Sequence, residues 1–374
     1  MKKVYLDNAS TTAIRPEVIQ EMTKIMMDDF GNPSSTHSFG RNAKTIIELS
    51  RKNIAKYLNC SAQEIIFTSG GTEGNNWILR SAVEDLKVQR IITSKIEHHA
   101  VLYTVLALQS DYHIEVDYVN INPDGSVDLT HLSHLLSEEK KTIVSLMHVN
   151  NETGTILDIE RVSVICKQYN ALFHSDTVQS VGKTEIDLQK NNVDFIVASA
   201  HKFHGPKGVG FAFVRKNSGL QPLLFGGEQE KGLRAGTEAA HQISGMAKAL
   251  SVSYENLEAE REYISGLKIY LINQFEIHFP NFRIVGNRED FYNIINVILP
   301  FSQDKTSMLL FNLDMRGIAV SRGSACQSGS IKPSHVLKEI FSETDLKLPN
   351  LRISFSHYNT KEDIDLLIES LKTI

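Results

Sequence analysis

The chain has 374 residues, enough for one large domain and a smaller one, and its 41% hydrophobic and 22% charged residues are typical of an ordinary globular protein. Its net charge of −5 excludes a nucleic acid or an anionic membrane surface as the main partner. We expect a cytoplasmic protein, because the sequence has no signal-peptide pattern and no apolar run near the roughly 20 residues that span a bilayer. We also expect no metal site, because its three cysteines are scattered.

The N-terminal part of the chain begins with a short strand and two helices. Val4–Leu6 is predicted as the strand and continues into a polar loop, and helices are predicted to begin at Arg15 and Gly40. A further strand, Glu64–Thr68, leads into residues 69–76, SGGTEGNN, which open the next helix. Glycines and hydroxyl groups at a helix N-terminus can bind an anion, and they can equally cap a helix after a tight turn. These residues alone leave both interpretations open.

Strand and helix patterns then alternate for about a hundred residues, which predicts a mostly parallel α/β sheet covered by helices on both faces. The predicted strands are Ile91–Thr93, Ile114–Val119, Thr142–Met147, Leu172–Asp176 and Asp194–Ala198. Polar residues fall where these strands end or the next helices begin: His98, Asn151, Asp176 with Gln179, and Lys202. Each has an ordinary structural explanation by itself. Parallel strands end at one edge of a sheet, however, so these side chains could converge there.

Lys202 follows the apolar run Phe195–Ala198 and precedes a turn interrupted by glycine and proline. Open α/β sheets bind their ligands at this position, just beyond the carboxyl end of a strand. A poorly solvated lysine has a lowered pKa and can form a Schiff base with a carbonyl cofactor, although most lysines are solvated surface charges. Lys207 competes for this role, but its place within Gly-Pro-Lys-Gly favours a turn.

The C-terminal part of the chain predicts a separate α+β domain. Residues 226–237 form a long glycine-rich loop, of a kind that is often functional. The helical stretch Ala239–Phe275 that follows is long enough to suggest a helix crossing between domains, and it places the boundary near Val252. The predicted division is 1–14, an N-terminal segment packing with the small domain, then 15–252, the large domain, and 253–374, the small domain.

Cys326 lies at the centre of residues 321–330, SRGSACQSGS. Seven of these ten residues are Ser, Gly or Ala, which predicts a flexible segment with little to bury. A cysteine in such a segment is not a core cysteine, whereas Cys60 and Cys166 are interpreted as structural.

These motifs together resemble the NifS/IscS-type cysteine desulfurases, a group of class V aminotransferase-like enzymes. The resemblance runs along nearly the whole chain, through the blocks LDNASTT, NPSSTHSFG, TSGGTE, EHHAV, HVNNETG, SDTVQ, SAHKFHGPKGVG, RAGTE and GSACQSGS. It implies the fold type I architecture of pyridoxal-phosphate-dependent transferases, pyridoxal 5'-phosphate as cofactor, and a homodimer. It also implies the activity: sulfur is removed from L-cysteine to give L-alanine and a persulfide, and then passes to a sulfur-acceptor protein of iron–sulfur cluster assembly or tRNA thiolation.

The resemblance implies a role for each residue near the cofactor ring. Lys202 would form the Schiff base and act in catalysis, and Asp176 would pair with the protonated pyridine nitrogen. Gln179 and Asn151 would hydrogen-bond the phenolic oxygen, with Asn151 also orienting the substrate. His98 would stack on the ring face and move protons.

The cofactor phosphate would be held, by the same resemblance, by Gly71 and Thr72 together with Ser199 and His201. Thr237 would reach the phosphate bound by the partner subunit. Dimerisation would then be part of the site.

The remaining implied roles concern the substrate. Arg352 would clamp the substrate carboxylate in a bidentate pair, and the Cys326 thiolate would attack the substrate sulfur and carry it outward. Ser356, close to Arg352, stands where related enzymes commonly have glycine. The chain ends at Ile374, without the long tail that IscS-type members use to dock the iron–sulfur scaffold protein.

Other functions fit the same fold. A selenocysteine lyase or an aminotransferase would share the cofactor site, but transamination does not need Cys326 in its Ser/Gly segment. A cofactor-binding scaffold without turnover would be expected to have lost at least one of Lys202, Asp176, His98 and Cys326, and all of them are present.

Overall fold

The computed structural model describes residues 2–323 and 334–374. The strands, in chain order, are β1 (Val4–Tyr5), β2 (Ile65–Thr68), β3 (Arg90–Thr93), β4 (Glu115–Tyr118), β5 (Thr142–Ser145), β6 (Leu172–Asp176), β7 (Phe195–Ser199), β8 (Gly210–Val214), β9 (Arg283–Val285), β10 (Ile294–Ile298), β11 (Ile318–Ala319) and β12 (Asn350–Ser354). The α-helices are α1 (Pro16–Asp28), α2 (Ser38–Tyr57), α3 (Gly71–Glu84), α4 (His99–Tyr112), α5 (Leu129–Leu136), α6 (Ile159–Gln168), α7 (Ala240–Glu255), α8 (Leu257–His278), α9 (Leu309–Asp314), α10 (His335–Lys338) and α11 (Lys361–Lys372).

A seven-stranded sheet, within the described residues, forms the centre of the molecule, in the order β2-β8-β7-β6-β5-β3-β4. The pairs from β4 to β7 are parallel, which confirms the mostly parallel sheet. At the other edge β8 is antiparallel to β7, and β2 is antiparallel to β8. The link from β7 to β8 holds only a short 3-10 turn, whereas a parallel return needs a crossover of a dozen or more residues, so the chain reverses direction.

Two apolar layers cover the faces of this sheet. In β7 the side chains alternate: Ile196 and Ala198 belong to the cluster packed under α1, α2 and α7, and Phe195 and Val197 to the cluster under α3 and α4. The single tryptophan of the chain, Trp77 of α3, is 2% exposed in the second layer, and its Nε1 donates to the Gln221 carbonyl oxygen at 2.6 Å. Burial on both faces explains why β7 has apolar residues at four consecutive positions, Phe195–Ala198.

A second core lies in the C-terminal part of the chain. Here β10 pairs antiparallel with both β9 and β12, and α8 and α11 pack around the same apolar cluster. The N-terminal residues Val4 and Leu6 belong to this cluster, and β1 pairs parallel with β11. The division at residues 14 and 252 stays a prediction.

The helical stretch Ala239–Phe275 is two helices rather than one crossing helix. It is interrupted at Asn256, which ends α7 and precedes α8. The Asn256 side-chain amide donates to the Val252 carbonyl oxygen at 2.8 Å, and such local bonding by asparagine competes with continuation of a helix.

Among the residues that the structure describes, no helix is both long and apolar enough to span a membrane.

Candidate active site

A cavity of about 240 Å³ lies at the carboxyl ends of the central strands, beside the N-terminus of α3. Loops at this edge of a parallel sheet are where α/β proteins bind ligands. The structure brings ten of the twelve sequence-predicted site residues to its wall: Gly71, Thr72, His98, Asn151, Asp176, Gln179, Ser199, His201, Lys202 and Arg352. They come from widely separated parts of the chain, and the strand ends position them together.

Lys202 lies on the 3-10 turn that follows β7 directly, so the end of the strand fixes its Cα. Its Nζ donates to the carbonyl oxygens of Ala9 and Ser10, each at 2.8 Å. These acceptors belong to the N-terminal loop, which therefore forms part of the wall. Their role could not be predicted from residue types, because every residue has a backbone carbonyl.

Asp176 is the last residue of β6 and is 5% exposed. One carboxylate oxygen accepts from Asn75 Nδ2 at 2.7 Å and the other from the Val178 backbone N–H at 3.0 Å. Both bonds suit an ionised carboxylate, which only accepts hydrogen bonds. Sequence reasoning missed Asn75, although a polar residue on the buried face of α3 was an available signal.

The N-terminus of α3 forms an open cradle. Gly70, with φ of +148°, is the N-cap residue of the helix and, as glycine, provides no side-chain cap. The Gly71 N–H donates to Ser199 Oγ at 2.7 Å, and a Cβ at Gly71 would lie only 2.5 Å from Val178 Cγ2. A helix N-terminus whose N-cap residue has no side chain, together with the helix dipole, suits an anion, and the anion site stays a prediction beside the capped turn.

His98 is the N-cap of α4, and its Nδ1 accepts from the Ala100 backbone N–H at 3.1 Å. Burial lowers the pKa of His98, and Lys202 lowers it further against an opposing effect of Asp176. The imidazole is therefore neutral at pH 7, with its proton on Nε2. The adjacent His99 packs between Tyr103 and His335, with ring centroids 4.7 and 4.4 Å away.

Gln179 connects the cavity wall to the N-terminal loop. Its Nε2 donates to the Ala9 carbonyl oxygen at 2.9 Å, and its Oε1 accepts from Lys183 Nζ at 3.4 Å. Lys183 is 7% exposed, and burial lowers its pKa to about 7. A buried lysine behind the site was not predicted.

Arg352 extends into the cavity from β12 of the C-terminal core and is 1% exposed. Its Nη1 donates to the Asn151 carbonyl oxygen at 2.9 Å, and its Nη2 donates to Asp7 Oδ1 at 2.8 Å and Ser10 Oγ at 2.6 Å. Its Nε is buried without a partner among the described atoms. An unpaired guanidinium donor beside a cavity suits a carboxylate ligand.

Ser356, the position where glycine was expected, is buried near the end of β12. Its N–H donates to Asn359 Oδ1 at 2.9 Å, and its Oγ accepts from the Tyr358 N–H at 3.3 Å. Its backbone does not adopt a positive φ, so serine is accommodated without strain.

Two predicted site residues are not in this cavity. Thr237 is exposed and lines a separate cavity of about 170 Å³ with Ser69 and Arg234. Cys326 lies in residues 324–333, outside the described residues. On one side of that segment, Ser334 Oγ donates to Glu152 Oε2 at 2.5 Å.

Comparison with known proteins gives the family. Residues 4–367 match the model described as Aminotransferase class-V. The chain belongs to the class-V aminotransferase family. This match covers both the central sheet and the C-terminal core, so it applies to the whole fold described above.

Individual class-V members are similar over their full length. The cysteine desulfurase IscS of Clostridium botulinum is 40% identical over 376 residues, covering 100% of this chain and 94% of that protein. The cysteine desulfurase IscS of Dictyoglomus turgidum is also 40% identical over 376 residues, with the same coverage. A solved NifS-like protein shares 36% identity with a TM-score of 0.91, covering 100% of this chain and 99% of that one. The resemblance to NifS/IscS-type desulfurases and the fold type I class are confirmed.

Class-V aminotransferases and cysteine desulfurases use pyridoxal phosphate, and the cavity fits that group. A lysine amine, a buried carboxylate and a neutral imidazole are available for the ring and its substituents. The cradle at Gly71, which a Cβ would obstruct, and the uncapped helix N-terminus suit the phosphate.

Proposed function

We propose that the chain is a pyridoxal-phosphate-dependent cysteine desulfurase that converts L-cysteine to L-alanine and leaves the sulfur as a persulfide on Cys326. The observation that carries the proposal is the convergence of Lys202, Asp176 and Arg352 on one cavity, with the Arg352 Nε unpaired among the described residues. Full-length similarity to proteins named cysteine desulfurase supports the same conclusion.

The residues of the cavity would hold the cofactor at three places. Bound pyridoxal phosphate supplies an electron sink for the pair released when the substrate loses its Cα proton. Asp176 would keep a proton on the ring nitrogen, and the Gly71 cradle with Thr72 would bind the phosphate. The neutral His98 would pack on the ring face without bringing a second positive charge.

Proton movement in this proposal belongs to Lys202. Its Nζ is held by the Ala9 and Ser10 carbonyl oxygens, which fix the amine at the cavity wall. With pyridoxal phosphate and substrate bound, the Lys202 amine would be positioned to accept the Cα proton.

The substrate carboxylate would bind Arg352. This guanidinium is paired with Asp7, and its Nε, which has no partner among the described residues, would serve as a further donor. Asn151, whose carbonyl oxygen accepts from Nη1, would orient the substrate beside it. Arginine suits this role because its planar donors match both carboxylate oxygens.

The sulfur step requires the thiolate of Cys326. Its attack on the substrate sulfur forms the S–S bond and breaks the Cβ–S bond, whose electron pair stays with the carbon skeleton and is protonated to give the methyl group of alanine. The acceptor of the persulfide sulfur is proposed to be a protein of iron–sulfur cluster assembly or tRNA thiolation. The cytoplasmic location stays a prediction.

A homodimer is proposed because Thr237 is exposed and lies outside the cavity of its own chain. From such a position a threonine can hydrogen-bond a phosphate held by a second copy. Dimer formation would then complete each site.

The test is the product pattern with L-cysteine in the wild type, Cys326→Ser and Lys202→Ala. We expect alanine and sulfide from the wild type with a thiol reductant present, loss of sulfide release in Cys326→Ser, and loss of all turnover in Lys202→Ala. Cys60→Ser, which changes a half-buried cysteine elsewhere, is the matched control and should retain activity. A keto acid instead of alanine, or a strong preference for selenocysteine, would replace the proposal with the aminotransferase or the selenocysteine lyase.

A further inference from the structure

A second cavity, larger than the first, lies between α8 and the loops that follow β5 and precede β10. Its volume is about 440 Å³, within the range of small-molecule sites. We refer to it as the α8 cavity, defined by its wall residues on α8 (Arg261, Lys268, Ile269, Ile272) and opposite them (Lys183, Phe291). None of the residues predicted from the sequence as functional lines it.

One side of the α8 cavity is apolar and partly open to solvent. Ile269 and Ile156 face it with 59% and 46% of their surfaces exposed. The buried side chains of Ile272 and Phe291 continue the same wall inward. Apolar surface of this kind favours a ligand that carries a hydrophobic portion.

The inner end of the α8 cavity carries a buried amine with few protein acceptors. Lys183 is 7% exposed, and its hydrogen bond within the described structure is to Gln179 Oε1, at a long 3.4 Å. An ammonium group has three donors, and a buried charge is costly unless it is paired. A negatively charged ligand in the cavity would supply the missing acceptor.

A second buried lysine adds to this charge. Lys268 is 5% exposed and donates to the backbone carbonyl oxygens of Asp290 and Phe291 at 2.8 and 3.2 Å. These neutral acceptors orient the amine but do not neutralise it. Burial lowers the pKa of Lys268 to about 8, so the amine is mostly charged at pH 7.

Cations outnumber acids around the α8 cavity. The cationic residues of the wall are Lys183, Arg261, Lys268 and Arg288, and the acidic residues are Glu289 and Asp290. The Asp290 carboxylate accepts from the Asn287 backbone N–H at 2.6 Å and attracts Lys268, so it offsets part of this positive charge. His148, also in the wall, stays neutral because burial lowers its pKa to about 4.

We propose that the α8 cavity is a binding site for a small amphipathic organic anion, with its carboxylate or phosphate head at Lys183 and Lys268 and its apolar part along Ile269, Ile272 and Phe291. To bind such a ligand, a cavity needs positive charge at its buried end and apolar surface toward its mouth, and the α8 cavity has both. A neutral amphipath would bring no negative charge to the two buried amines, and an inorganic anion would leave the apolar wall in water.

The experiment compares hexanoate, hexyl phosphate, hexanol and hexylammonium by calorimetry on the purified holoenzyme. We expect saturable binding of one hexanoate or hexyl phosphate per chain, with the tighter of the two identifying the head group. Hexanol and hexylammonium should bind at least ten times more weakly. Equal affinities for hexanoate and hexanol would overturn the proposal.

Three variants locate the binding. Lys183→Met and Ile269→Glu should each weaken the binding of hexanoate at least tenfold. Ile269 is an exposed side chain, so the fold can tolerate its replacement by Glu. Lys190→Met is the matched control, since this lysine is exposed and remote from the cavity wall. Arg352→Lys should leave hexanoate binding unchanged. If Arg352→Lys abolishes binding, or if both Lys183→Met and Ile269→Glu bind as the wild type does, the anion lies elsewhere and the proposal is wrong.

Discussion

Replacing Glu230 by Gln tests the ion pair that holds the glycine-rich loop at residues 226–237. The Glu230 carboxylate accepts from Arg51 Nη1 and Nη2, both at 2.7 Å, and from the Phe67 backbone N–H at 2.8 Å. Both side chains of the pair are at most 3% exposed. The backbone of Glu230 and Lys231 is left-handed, with φ of +48° and +61°, a conformation that costs about 1–2 kcal/mol per residue.

The expected loss of folding free energy is about 3–5 kcal/mol, because the substitution removes the buried counter-charge of Arg51 and leaves only the exposed Glu48 carboxylate, 3.2 Å from its Nε. Glutamine retains one acceptor oxygen but turns an NH₂ group toward a donor of Arg51 or Phe67. Arg51 also donates to the Ile65 carbonyl oxygen and stacks on Phe67, so it cannot move away without further loss. In Arg51→Met/Glu230→Gln no buried charge is left unpaired, so the double variant should lose at least ~1 kcal/mol less than the two single variants together.

Urea unfolding followed by circular dichroism measures these free energies, and the rate of tryptic cleavage after Lys231 or Arg234 reports on the loop itself. We expect faster cleavage in Glu230→Gln than in the wild type. Lys190→Met, which removes an exposed ion pair with Glu160, is the control and should change stability by less than ~1 kcal/mol. A loss below ~1 kcal/mol in Glu230→Gln, with unchanged cleavage, would refute the reasoning.

Three further substitutions test the site. Gly71→Ala should reduce the pyridoxal phosphate retained after gel filtration, because its Cβ would lie 2.5 Å from Val178 Cγ2. Adding Val178→Ala should restore this retention. A double variant that still loses the cofactor would contradict the steric cause. Burial raises the pKa of Glu97 from 4.5 to about 8, so between these pH values the folded state holds a proton that the unfolded state has lost and stability falls as pH rises. The free energy of unfolding of Glu97→Gln should therefore rise, relative to that of the wild type, by about 1.4 kcal/mol for each pH unit in urea titrations from pH 5 to 7.5. If the two proteins instead show parallel plots of unfolding free energy against pH, this assignment of the Glu97 pKa is excluded. Asp7→Asn should lower the KM for L-cysteine roughly tenfold by freeing Arg352 for the substrate carboxylate, and an unchanged KM would show that the ion pair does not compete.

The sequence predicted the central sheet and most of the site wall because both follow from local patterns. The predicted strands of the central sheet lie within one or two residues of the observed bounds, and Leu172–Asp176 matches them at both ends. The chemistry-bearing residues lie where those runs end, and strand ends in a parallel sheet share an edge. His98, Asp176 and Lys202 were therefore predictable as neighbours before any coordinates.

Contacts between distant parts of the chain could not be predicted in this way. Asn75 reaches Asp176 across 101 residues, and Asp7 reaches Arg352 across 345. The antiparallel edge of the sheet depends on the direction in which β8 runs back along β7. The break between α7 and α8 depends on the hydrogen bond of the Asn256 side chain, which helix propensity does not reveal. The α8 cavity arises from packing between the two cores, so no single segment carries its pattern.

Trp77 provides a built-in optical probe of the cradle. It is the one tryptophan of the chain and lies on α3, whose first residues are Gly71 and Thr72. Indole emission excited selectively therefore originates from a single buried ring on the same rigid helix as those residues. Quenching of that emission by a bound chromophore would follow loading and release of the cofactor in real time, without any introduced label.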